Sequence, residues 1–169
     1  MLVSADAIAA RVAELAAAID AACTELTEPL VLVCVLTGSL VFTADLARAL
    51  RTPVEVDTVA ARSYGGTVSS GSVQLLKDVS RPLRGRDVLI VEDIIDTGAT
   101  TAFLRDHLAQ HRPASLRLVA LLDKRGRRTR PVRIDFRGFV IRERFVVGYG
   151  LDLDERWREL PDVHVLETG

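Results

Sequence analysis

The sequence predicts an α/β protein, a single domain of 169 residues in which core strands alternate with helices. Three observations carry this. The apolar runs at 30–36 and 88–91 are too continuous for strands with one wet face, and with the Leu-rich stretch 114–122 they suit a sheet covered on both sides. Segments with helical apolar spacing lie between them. Two of the strands run into small-residue turns, Thr37-Gly38-Ser39 and Thr97-Gly98-Ala99, each of which opens a helix.

Composition narrows the class. A hydrophobic fraction of 49%, a charged fraction of 27% and a net charge of −1 belong to a soluble globular protein and argue against a dedicated nucleic-acid binder. The chain is long enough to bury a real core. Cys23 and Cys34 have neither zinc-site nor disulfide-framework spacing and read as free thiols in a reducing cytoplasm. No apolar run has the length of a membrane span, and no secretion signal is expected.

In chain order, Ile8, Val12, Leu15 and Ile19 predict an amphipathic helix over 4–22, with Ser4 as N-cap and Thr27-Glu28-Pro29 ending the segment. Residues 30–36 are the first core strand. After Thr37-Gly38-Ser39 a helix is expected over about 40–50, with Leu40, Val41, Ala44, Leu46 and Ala47 available for its buried face. Residues 54–61 alternate as a second strand. The stretch 62–71, with Ser63, Tyr64 and three glycines, is small and polar. It reads either as a hairpin loop, with 73–76 pairing back, or as a lid beside a site. A polar connection over 80–87 leads into the strand at 88–91.

That strand is followed by Glu92, Asp93 and Asp96, expected as an acidic loop, then by Thr97, Gly98, Ala99, Thr100 and Thr101 at the start of a helix over about 99–110. Amides at a helix N-terminus and in a tight turn, with added Thr hydroxyls, make an anion site. Carboxylates would repel a bare phosphate. Their presence therefore points to other work: coordinating Mg²⁺, accepting from sugar hydroxyls, or taking a proton. A phosphate cradle beside three carboxylates suits a ligand that is both phosphate and sugar, at the strand ends where α/β proteins place ligands.

The strand at 114–122 ends at Asp123-Lys124, and Lys occurs only at 77 and 124 in an Arg-rich chain. The basic run Arg125, Arg127, Arg128, Arg130 and Arg133 lacks interleaved aromatics and reads as a solvated loop or a subunit contact. Short β segments follow at 139–141 and 145–150, then a short helix over 155–160 stopped by Pro161, and 163–166 closes the chain.

Val-Glu-Asp-Ile-Ile-Asp-Thr-Gly (91–98) resembles the phosphoribosyl-pyrophosphate (PRPP) signature of type I phosphoribosyltransferases, in particular the hypoxanthine-guanine enzymes. Phe-Val-Val-Gly-Tyr-Gly-Leu-Asp (145–152) is nearly as specific, and the similarity runs in order from about residue 4 to residue 166. The resemblance implies a mainly parallel sheet flanked by helices. It adds a small hood built mainly from about 140–169 with the N-terminal segment. It implies Mg-dependent transfer of 5-phosphoribose from PRPP to N9 of hypoxanthine or guanine, a purine-salvage reaction that gives IMP or GMP and pyrophosphate.

It also implies roles for particular residues. Thr37 and Gly38 would hold pyrophosphate, with a cis peptide entering residue 37. Ser63 and Tyr64 would belong to the loop that closes over PRPP. Glu92 and Asp93 would take the ribose hydroxyls and, with Asp152, help place Mg²⁺. Thr97, Gly98, Ala99, Thr100 and Thr101 would grip the 5-phosphate, and Asp96 would act as general base near purine N7. Lys124 would donate to the 6-oxo group, Phe145 would stack on the base, Val146 would meet the base edge through its backbone, Asp152 would contact base edge or metal, and Arg158 would contact pyrophosphate. Relatives are generally homodimers or homotetramers. This chain departs from the pattern at Leu153, where an aromatic is common, and at Thr37, where some relatives carry Lys or Arg. Two other readings stay open: an RNA-binding attenuator-type regulator on the same fold, and a phosphoribosyltransferase with a specialised acceptor.

Overall fold

A computed structural model describes residues 1–63 and 73–166 of the chain. The first helix, α1 (Ala5–Ala22), is capped by the Ser4 side chain, which accepts from the Ala7 N–H. It leads to β1 (Leu30–Leu36), α2 (Leu40–Ala49), β2 (Val54–Ser63) and β3 (Val73–Lys77). The second half runs β4 (Asp87–Ile95), α3 (Ala99–Ala109), β5 (Ser115–Lys124) and β6 (Phe136–Ile141), then two very short strands, β7 (Val146–Val147) and β8 (His164–Val165).

Six strands form one sheet in the order β3-β2-β1-β4-β5-β6. Only the edge strand β3 runs antiparallel, against β2; β2, β1, β4, β5 and β6 are parallel to one another. The α/β class read from the sequence is therefore the observed one. The chain moves from β1 outward to β2 and β3, then returns to the other side of β1 as β4. The strand order thus reverses between β1 and β4, and a crevice opens at their C-terminal ends.

Strand alternation sorts the core into two layers. Leu32, Leu89, Val91 and Leu121 pack with Ile8, Val12, Leu15 and Ile19 of α1 and with Phe42 and Leu46 of α2. Val31, Val33, Val35, Ile90, Leu118 and Ala120 face the other way, onto Leu104 and Leu108 of α3. A Leu89→Ala change would open a cavity under both α1 and α2.

Helix α2 is rotated from the face read off the sequence. Phe42, Thr43 and Leu46 point inward, while Leu40 and Val41 are exposed. The reason is phase: the aromatic ring of Phe42 fills the volume between α1 and the sheet, which turns its two neighbours out. Strand β6 begins at Phe136, earlier than the apolar run 139–141, because an edge strand of mixed exposure carries little apolar signal.

The C-terminal segment builds its own small layer. β7 and β8 pair antiparallel, and Val3 bridges to Val163, so the N-terminus is tied into the same layer. The helix expected over 155–160 is absent. Leu153 and Arg156 form a bridge across Asp154 and Glu155, both with positive φ, and Trp157 also has positive φ. Two consecutive left-handed residues make a tight hairpin turn instead of a helical one.

Candidate active site

The crevice between β1 and β4 is a cavity of ≈ 600 Å³. Its wall contains Gly38, Glu92, Asp93, Asp96 and the whole stretch Thr97–Thr101, together with Arg127 and Thr129. The three carboxylates and the small-residue turn singled out in the sequence thus share one pocket.

Glu92 and Asp93 lie inside β4, which continues to Ile95, and not in a loop after it. The strand's alternation separates them. Glu92 faces α3, where the Thr101 hydroxyl donates to its Oε1 at 2.9 Å. Asp93 faces the loop before α2 and accepts from the N–H of its strand neighbour Ile94 at 2.7 Å. A Cβ on Gly38 would overlap the Asp93 carboxylate, so only glycine lets this loop approach so closely. The bond between Leu36 and Thr37 is cis, as the resemblance implies.

Glu92 is buried and Asp93 half-buried. Burial and the charge of Asp93 push the Glu92 carboxyl up from 4.5 to about 8, against the Thr101 hydrogen bond. Burial pushes Asp93 up from 3.8 to about 6, opposed by backbone amides and the Arg158 charge and reinforced by Asp152. Between pH 4.5 and 8 the unfolded chain releases the Glu92 proton while the folded chain keeps it. This contribution to stability therefore falls as pH rises through that window. Glu92→Gln should accordingly raise the melting temperature of the ligand-free protein by roughly 5 °C at pH 8.5, a difference that closes towards pH 5. Thermal unfolding at the two pH values checks this, and a lower melting temperature for the variant at pH 8.5 would count against it.

Asp96 sits just past β4. Its Oδ2 lies 3.4 Å from Lys124 Nζ and 3.7 Å from Arg127 Nη1. Its Oδ1 is sealed from solvent and has no hydrogen-bond partner among the described residues. Lys124 and Arg127 thus hold this carboxylate from one side and leave its other oxygen unpartnered. Lys124, at the end of β5, is 7% exposed and reaches the site through this contact; it does not line the cavity.

At the cradle, Gly98 caps α3 with φ +82, and the Thr97 hydroxyl accepts from the Ala99 N–H at 3.3 Å. The first-turn amides of a helix have no partners within it, so those of Ala99, Thr100 and Thr101 start an anion site.

Sequence reading missed the loop that braces this turn. The basic run 125–133 is only partly solvated. Arg128 donates to the carbonyls of Asp96 and Ile95 and to the buried Asp123 carboxylate, at 3.1, 3.2 and 2.6 Å. Thr129 and Arg130 N–H groups both donate to the Thr97 carbonyl. Arg127 and Thr129 become cavity wall. A run of charges gives no sign of which guanidinium turns inward; Asp123, a carboxylate directly after the apolar stretch 118–122, is the residue that hinted at a buried partner.

The C-terminal hairpin reaches the crevice from the α2 side. Arg158 Nη1 contacts Asp152 Oδ1 at 2.9 Å and donates to the Gly150 carbonyl at 2.8 Å. A Cβ on Gly150, with φ +98, would overlap the Gly38 carbonyl, so hairpin and glycine loop touch backbone to backbone. The Tyr149 hydroxyl donates to Asp45 of α2 at 2.6 Å, and burial beside that carboxylate holds the phenol well above its usual range. Asp152 and Arg158 act on Asp93 electrostatically without lining the cavity. Phe145 is 45% exposed, hence not a core ring, and Val146 is buried; neither lines the cavity, nor does Thr37. Tyr64 lies outside the described residues, and of Ser63 only its backbone at the end of β2 is described.

The Phosphoribosyl transferase domain family matches residues 1–154. The chain belongs to this phosphoribosyltransferase family. It is 46% identical to the hypoxanthine-guanine phosphoribosyltransferase of Mycobacterium avium over 99% of this chain and 85% of that protein. It is likewise 46% identical to the hypoxanthine phosphoribosyltransferase of Salmonella typhimurium, over 92% of this chain and 88% of the relative. A solved ternary substrates complex of a Trypanosoma cruzi hypoxanthine phosphoribosyltransferase variant superposes with a TM-score of 0.92 at 43% identity, covering 99% of this chain and 94% of the other. The cavity places a small-residue turn at a helix N-terminus beside three carboxylates, Glu92, Asp93 and Asp96. Glu92, Asp93 and Asp152 offer hard oxygen donors of the kind that hold a divalent cation such as Mg²⁺.

Proposed function

We propose that this protein is a purine-salvage enzyme that transfers 5-phosphoribose from PRPP to N9 of hypoxanthine or guanine, releasing pyrophosphate and IMP or GMP. The observation that carries this reading is Asp96: it lines one cavity with the acid pair and the cradle, and its Oδ2 faces Lys124 while its Oδ1 has no partner among the described residues.

The 5-phosphate would rest on the amides and hydroxyls of Thr97 to Thr101. Glu92 and Asp93 would accept hydrogen bonds from the ribose hydroxyls. This favours their ionised forms, so binding of PRPP at neutral pH would release protons. Thr37 and Gly38 amides, with Arg158, would meet the pyrophosphate. Bound near Glu92, Asp93 and Asp152, Mg²⁺ would supply charge neutralisation for that leaving group. As N9 attacks the anomeric carbon, which takes on oxocarbenium character, positive charge grows on the purine. Asp96 would hold or accept the N7 proton, with Lys124 and Arg127 fixing its orientation. Ser63 and Tyr64 would help to exclude water while the ribosyl carbon is activated.

Lys124 would donate to the purine 6-oxo group, and Phe145, Val146 and Asp152 would frame the base. Lys124→Ala should therefore lower kcat/KM for 6-oxopurines by about 10²-fold, since an acceptor is left without its charged donor. Competition between hypoxanthine and adenine checks the role: preference for hypoxanthine retained at the parent level would sink it.

Residues 140–166 with the N-terminal segment would serve as the hood of a single domain. The buried unpaired thiols of Cys23 and Cys34 support action in the cytoplasm. The exposed Leu40 and Val41 support assembly as a homodimer or homotetramer. The inward engagement of Arg128 favours the enzyme over an RNA-binding regulator, because it takes one guanidinium out of the basic surface. The test is chromatographic identification of IMP from PRPP, Mg²⁺ and hypoxanthine; intact PRPP after prolonged incubation would overturn the reading.

A further inference from the structure

A second group of metal-ligating side chains lies away from the cavity. Asp78 follows β3, His107 is in the last turn of α3, and His111 is in the turn beyond it. One ligand atom from each can be chosen so that all three lie within 4.8 Å of one another. The two histidines are four residues apart, which puts both rings on one side of the helix end. Along the helix axis His107 is about 12 Å from the cradle at Ala99.

The close approaches are those of ligands around a common point. Asp78 Oδ1 is 2.9 Å from His107 Nε2, and Asp78 Oδ2 is 3.9 Å from His111 Nε2. Donor atoms around a tetrahedral ion with bonds of 2.0–2.1 Å lie roughly 3.3 Å apart, between these two values. His107 Nε2 is also sealed from solvent and has no hydrogen-bond partner of acceptable geometry among the described residues, despite the nearby carboxylate oxygen. The oxygen is therefore off the axis along which that nitrogen donates or coordinates. The ring is held in this pose by the Phe103 ring, stacked on it at 6.3 Å and 11°. The ring of His111 stands edge-on to it at 5.4 Å.

We propose that Asp78, His107 and His111 bind a divalent transition-metal ion of the zinc class, which clips edge strand β3 to the end of α3. Two imidazoles and one carboxylate select such an ion over Mg²⁺, which prefers an all-oxygen shell. Partial exposure of the three side chains leaves the fourth position to water. The clip joins two elements that flank the chemistry: α3 carries the cradle at its other end, and β3 is the outer, antiparallel strand, paired on one side only.

The test uses the full chain, stripped with a chelator and titrated with Zn²⁺ in excess Mg²⁺, which occupies the hard carboxylate donors of the cavity. One Zn²⁺ should bind per chain and raise the melting temperature, and Co²⁺ should give the visible absorption of a low-coordinate site. His111→Ala, at the surface end of the cluster, should weaken Zn²⁺ binding by about 10-fold or more and remove the thermal shift. Asp78→Asn should do the same without touching the helix. Asp93→Asn should leave Zn²⁺ binding unchanged, because that carboxylate belongs to the cavity. Equal Zn²⁺ affinity in the parent, His111→Ala and Asp78→Asn, loss of binding in Asp93→Asn, or no binding up to millimolar Zn²⁺ would each overturn the proposal.

Discussion

Replacing Asp96 with Asn lowers kcat by about 10²–10⁴-fold while KM for PRPP changes little. The amide keeps the shape of the carboxylate but cannot take a proton, and it no longer balances Lys124 and Arg127. Asp96 carries no part of the phosphate cradle, whose amides and hydroxyls belong to residues 97–101, so PRPP affinity survives. The loss should shrink at high pH, where hydroxide can take the N7 proton in place of the missing carboxylate. Steady-state kinetics across pH, with PRPP and hypoxanthine varied in turn, check both parts. Turnover within a few-fold of the parent would remove Asp96 from the chemistry.

The second large effect is expected at Gly150, which does not itself line the cavity. With φ +98, a side chain there is strained by about 1–3 kcal/mol from the backbone alone. Its Cβ would also overlap the Gly38 carbonyl, which has no freedom to swing aside as a side chain has. Gly150→Ala must then push the hairpin off the glycine loop and carry Arg158 away from Asp93. The expected result is a melting temperature lower by roughly 3–10 °C and a loss in kcat/KM for PRPP of about 10- to 100-fold. Gly85 provides the control. It has φ +72, but a Cβ there meets nothing within 4 Å, so Gly85→Ala should lose stability and keep its kcat/KM. Equal kinetic losses in the two variants would mean that Gly150 acts through general stability and not through contact with Gly38.

The features legible in the sequence were those set by local rules. Continuous apolar runs gave the central strands, Ser4 gave the cap of α1, and Val88–Val91 followed by Glu92, Asp93, Asp96 and the threonines gave the cavity's main wall. The features that were not legible depend on contacts distant in the chain. Phe42 faces inward because of the space between α1 and the sheet, which the periodicity of α2 alone does not reveal. The acids Glu92 and Asp93 read as loop because charged side chains in a core strand are rare; they are tolerated here because each faces a specific partner, Thr101 or the glycine loop. The turn at Asp154 and Glu155 read as helix because its residues have adequate helix propensity, and only pairing of Leu153 with Arg156 forces both into positive φ. Arg128 looked like any other charge in a run; the buried Asp123 and two strand-end carbonyls draw it inward.

The measurement that bears most directly on the account is pyrophosphate release from PRPP and Mg²⁺ with hypoxanthine, guanine, xanthine, adenine and uracil assayed side by side. The Asp96–Lys124 arrangement predicts release with the 6-oxopurines and none above background with adenine or uracil. Release with adenine or uracil at a comparable kcat/KM, or with no base at all, would contradict it.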